Sequence, residues 1–217
     1  MSHRGTHLVR SVVLAGVAVA AVNLLRGRCL RWGAADDEVS SALPGDELTA
    51  HADLSATRAV TIETTTAEVW PWIAQLGQGR GGFHSYDFAE NLLGCDIHSA
   101  KRIVQEWQHV EVGAKVNLAP EFALTVADLD VGRALVLRGG ALPGLDSAPY
   151  DFTWAFVLRE GANGTTRLVV RERCAYLSRW APLLVEPVEL VSFVMSRKML
   201  LGTKERAERM ASAPPPT

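Results

Sequence analysis

Two stretches, YDFTWAFVLRE at 150–160 and TTRLVVRERCAY at 165–176, are separated only by GANG. Each alternates in character with a period of two, so each reads as a strand with two distinct faces. One face of the first carries Phe152, Trp154, Phe156 and Leu158. One face of the second carries Leu168, Val170, Glu172, Cys174 and Tyr176. So short a connection permits only an antiparallel hairpin. Matching the apolar faces pairs Leu158 with Leu168 and sets Glu172 opposite Trp154. A carboxylate on an apolar face is costly unless paired or ligand-bound, which singles out Glu172.

The rest of the chain fits around that hairpin. FALTVADL at 122–129 and RALVLRG at 133–139 flank a turn at 130–132 and predict a second hairpin. RAVTIETT at 58–65 predicts a strand with Val60 and Ile62 on one face. Thr65-x-x-Glu68 then predicts a capping box. Val69, Trp72, Ile73 and Leu76 follow as one buried helical stripe containing Pro71. A closing helix runs from about Pro187, in its first turn, to Met210. Glu189, Ser192 and Ser196 form its polar stripe. Antiparallel strands followed by a long helix make this an α+β chain, not a βαβ series.

Residues 11–25, SVVLAGVAVAAVNLL, are apolar except for Ser11 and Asn23. Residues 1–31 are expected to form a membrane anchor; a cleaved export signal and a helix packed on the domain are the alternatives. The arginines after the span are the denser cluster, which places the body on the cytoplasmic side. The segment carries five arginines and no acid, leaving a body of 17 basic and 24 acidic residues. That balance excludes a nucleic-acid surface. Polar residues 32–57 read as a linker, 58–210 as the folded domain and 211–217 as a tail. Cys29, Cys95 and Cys174 are widely spaced and read as buried thiols, without a disulfide framework.

The least ordinary stretch is QLGQGRGGFHSYDFAENLLGCDIHSA at 75–100. Its glycines follow a helix, so they match neither a P-loop nor a dinucleotide fingerprint. They read instead as a helix end and a close backbone approach. His84, Asp87, Asp96, His98 and His109 lack metal-site spacing, and no metal or other cofactor is implied. SYDFAENLLG reads as a short amphipathic helix with Phe88, Leu92 and Leu93 packed inward. Glu172, Tyr86, Asp87, Glu90 and His84 are the acid–base candidates, and Arg80 is a candidate for holding a carbonyl or carboxylate.

The order from RAVTIETTTAEVWPWIAQLG to VEPVELVSFVMSRKMLLGTKERAE resembles the START-related, polyketide cyclase and lipid-transfer (SRPBCC) superfamily with its helix-grip fold. WPWIAQLGQGRGGFHSYDFAENLLGCDIHSA is most similar to a little-characterised actinobacterial-type branch. The resemblance implies a hydrophobic cavity between a curved sheet and the closing helix. Its expected lining is Arg80, Phe83, Tyr86, Phe152, Trp154, Phe156, Glu172, Tyr176, Phe193 and Met195. The first expectation is binding of a small hydrophobic molecule, lipid or polyketide-like. The alternatives are a cyclase or dehydratase, or a non-catalytic protein-interaction module.

Overall fold

The computed structural model describes residues 20–92, 94–140 and 147–212, apart from the side chains of residues 89 and 90. Among the described residues, six strands form one antiparallel sheet. They are β1 (Leu54–Ile62), β2 (Lys115–Ala119), β3 (Phe122–Asp130), β4 (Ala134–Gly139), β5 (Tyr150–Glu160) and β6 (Thr166–Tyr176). The spatial order is β1-β6-β5-β4-β3-β2. Both hairpins form as the alternation requires, with Leu158 opposite Leu168 and Trp154 opposite Glu172.

The helices are α1 (residues 20–30), α2 (Asp36–Ser40), α3 (Thr66–Ala74), α4 (Asp87–Leu92) and α5 (Ala181–Ala211). At 1.5 Å per residue, α5 is about 46 Å long and lies along the inner face of the sheet. Val69, Trp72 and Ile73 of α3, and Leu76 just beyond it, are buried in one core with Met199, Leu200 and Ala207 of α5 and Phe156 and Leu168 of the sheet. The architecture is the expected α+β arrangement of a sheet gripping its terminal helix.

Four local expectations are corrected. α5 starts six residues before Pro187, with Pro182 in its first turn. Pro187 is interior, and its missing amide falls against the carbonyl of Leu183, a residue exposed enough for water to serve. The capping box does not form, because the Glu68 carboxylate takes the hydroxyls of Thr64 and Thr65 rather than a backbone amide. Phe88 and Leu92 do not pack inward; they are 83% and 77% exposed. α4 is held instead by its polar side, through Asp87 to Ser99 and Asn91 to Ile97. Leu93 lies outside the described residues.

The fourth correction concerns residues 32–57, which are no linker. β1 already begins at Leu54, and the residues before it cover the outer face of the sheet, above Ala59, Val136, Ala155, Val157 and Val169. Three arginines alternating along β6 hold that cover. Arg167 forms a two-pronged ion pair with the buried Glu38, both distances 2.8 Å. Arg171 reaches Asp46 at 2.6 Å and the carbonyls of Glu38, Val39 and Ser41. Arg173 donates to the carbonyls of Thr49 and Ala50.

Of the expected anchor, residues 1–19 lie outside the described residues. Among those described, no helix is long and apolar enough to cross a membrane. The end of α1 packs on the body, with Arg26 2.5 Å from Glu186 of α5.

Candidate functional site

Part of the space between α5 and the strands β5 and β6 is not filled. One lobe, of about 410 Å³, is lined by Phe83, Ile97, Phe152, Trp154, Met195 and Met199 among others. A second, of about 340 Å³, is lined by Leu54, Phe122, Tyr150, Cys174, Leu184 and Val185. Both are bounded by Leu118, Phe152, Val188, Glu172 and Ser192, so Glu172 stands where the lobes meet. Apolar walls with a few convergent polar groups are the usual make-up of a small-molecule site.

Period two explains the polar wall. Arg58 precedes Val60 and Ile62 on the inward face of β1, and Glu172 follows Val170 on the inward face of β6. Glu189, Ser192 and Ser196 recur at helical spacing on α5 and face them. Arg58 donates through Nη1 to Glu172 Oε1 at 2.9 Å, through Nη2 to Glu189 Oε1 at 2.5 Å, and through Nε to the Cys29 carbonyl at 3.2 Å. Ser192 and Ser196 donate to the two oxygens of Glu172 at 2.6 and 2.7 Å. Phe193 lies beneath the guanidinium, 5.6 Å from ring centre to Cζ.

Burial raises the Glu189 carboxyl above its ordinary range, opposed by the Arg58 charge and reinforced by Glu172. The Cys174 thiol is pushed up to about 12, chiefly by burial, so it is not a thiolate nucleophile near neutrality.

Of the residues expected at the cavity, Phe83, Phe152, Trp154, Glu172 and Met195 line it. The other five do not. Arg80 donates to the carbonyls of Ala74 and Trp107, tying the glycine-rich turn to its neighbours. Phe156 packs against Trp154 in the filled core, with ring centres 4.8 Å apart. Tyr86 faces solvent beside Lys198. Tyr176 donates its hydroxyl to Glu186 at 2.9 Å, and Phe193 serves Arg58.

Two acid–base candidates of the 75–100 stretch, Asp87 and His84, are held within the fold. Asp87 accepts the Ser99 amide and hydroxyl at 2.7 and 2.6 Å. His84 is buried edge-on to Trp72, and its pKa is lowered to about 4 by burial and then by Arg206. It is therefore neutral near pH 7. The Glu90 side chain lies outside the described residues. Gly82, at φ 67°, brings its backbone against Ser99, where a Cβ would stand 2.9 Å from the Ser99 Cα. Among the described residues no three His, Cys, Asp or Glu side chains are grouped to hold a metal ion.

No family model matches the chain, and no curated protein matches it in sequence. Solved structures are similar in chain path only. A Helicobacter pylori hypothetical protein is 12% identical over 77% of this chain and 96% of its own, with a TM-score of 0.48. A Nitrosospira multiformis protein is 16% identical over 74% of this chain and 100% of its own, at 0.45. DynU16, from the dynemicin biosynthetic locus, is 15% identical over 68% of this chain and 46% of its own, at 0.39.

Proposed function

We propose that this chain binds a small, predominantly apolar molecule in the two-lobed cavity, with the Arg58–Glu172–Glu189 cluster forming its polar wall. The unfilled space beside Trp154 and Met195 supports this reading most directly. A close-packed interior leaves few voids larger than a water molecule, whereas the larger lobe measures about 410 Å³. Each 100 Å² of apolar ligand surface covered contributes about 2.5 kcal/mol before the cost of association.

Binding is favoured over turnover by the state of the polar groups. Glu172 already accepts three hydrogen bonds, and the Cys174 thiol is held protonated. Native mass spectrometry of the purified chain, followed by solvent extraction, is expected to reveal an apolar species released on denaturation. Val188 is exposed and borders both lobes. Val188→Trp should therefore block the cavity at a folding cost of about 0.5 kcal/mol or less. A chain that carries nothing, and that takes up apolar probes no better than its Val188→Trp variant, would sink the proposal.

A further inference from the structure

The polar wall holds one cation and two carboxylates, and their hydrogen bonds are unevenly used. Arg58 donates three of its five N–H groups, to Glu172, Glu189 and the Cys29 carbonyl, and lines neither lobe. Both oxygens of Glu172 are occupied. Glu189 accepts from Arg58 through Oε1, and its Oε2 has no hydrogen-bond partner among the described residues. Glu189 also lines the lobe bounded by Leu184, Val185 and Tyr150.

From this arrangement we infer that the cavity selects an apolar molecule bearing a hydroxyl or ammonium group, which docks on Glu189, and rejects one whose polar end is a carboxylate. The inference rests on the cavity-binding reading and deepens it. An incoming anion meets two carboxylates, while the guanidinium that faces them is buried and lines neither lobe. An incoming donor meets an open oxygen lone pair in a low-dielectric wall, where a charge-assisted hydrogen bond is strong. One guanidinium also compensates the two buried acids incompletely, and an ammonium at Oε2 completes the charge balance.

Calorimetric titration of the wild-type chain with 1-decylamine, 1-decanol and decanoate tests this, each kept below its aggregation concentration. At about pH 8 the amine is cationic and the acid anionic. The amine and the alcohol are expected to bind at least about tenfold more tightly than decanoate, the scale of one charge-assisted hydrogen bond. Glu189→Gln should shrink the amine's advantage over the carboxylate by about fivefold or more. The wild-type series decides the matter even if that variant does not fold. Decanoate binding as tightly as the amine would overturn the inference while leaving the cavity reading intact. Binding by none of the three would overturn both.

Discussion

Arg58 on β1 and Glu172 on β6 meet diagonally across an antiparallel pair, 2.9 Å apart. The residues directly opposite them are Val170 and Ala56, respectively. Their side chains are 1% and 8% exposed, and Glu189 approaches the same guanidinium from the helix. One buried cation thereby joins the first strand, the last strand and the terminal helix at the wall of the cavity.

Arg58→Met leaves two buried carboxylates without their counter-charge. Breaking a buried ion pair from one side costs about 3–5 kcal/mol, and denaturant unfolding should show a loss of that size. The combined Arg58→Met, Glu172→Gln and Glu189→Gln variant removes the unpaired charge and should recover more than half of it. An unchanged midpoint for Arg58→Met alone would show that the cluster carries no net stability.

Arg171→Ala should loosen the cover over the outer face. It removes the ion pair to Asp46 and donors to three carbonyls. The expected loss is about 2–4 kcal/mol, with proteolytic cleavage appearing between residues 33 and 50. Resistance equal to wild type would mean that the apolar contacts of Leu43 suffice to hold this segment.

Gly202→Ala reverses the usual helix rule. Replacing an interior helical glycine by alanine ordinarily stabilises by about 1 kcal/mol. Here a Cβ would stand 2.2 Å from the carbonyl oxygen of His84, so α5 would have to move off the glycine-rich stretch. A net loss of about 1–3 kcal/mol is expected, read as a lower melting temperature; a higher one would contradict the close approach.

The His84 imidazole has its pKa lowered from 6.5 to about 4 in the folded chain. Between those values the unfolded chain binds the extra proton, so stability falls as pH drops from 6.5 towards 4. The full loss is about 3 kcal/mol. Glu189, raised from 4.5, works oppositely, and Glu38, lowered from 4.5, contributes only below that value. The comparison is therefore wild type against His84→Gln between about pH 6.5 and 4.5, where only wild type should show the decline. Parallel profiles would mean that the ring is not buried neutral.

The β5–β6 hairpin and its register were legible because period two and apolar matching depend only on neighbours in sequence. Glu172 stood out by the same logic. Its partners were harder to see. Arg58 shares the inward face of Val60 and Ile62, and Glu189, Ser192 and Ser196 share one helix stripe. Nothing local reveals, however, that β1 pairs with β6. The cover at 32–57 was hidden for another reason. Arg167, Arg171 and Arg173 recognise it largely through backbone carbonyls, which composition does not register. The 75–100 stretch attracted attention through residues that carry chemistry elsewhere. Here they fasten the rim, as Asp87 does with Ser99 and Arg80 with the carbonyl of Trp107.

The partnership of β1 with β6 also sets the timetable of folding. The first strand of the sheet must wait until β2 to β5 have been made before its neighbour exists. Such distant pairing slows the search for the native state. In the interval β1 is an unclaimed edge, open to other nascent copies, and the acids that will neutralise its arginine have yet to be made.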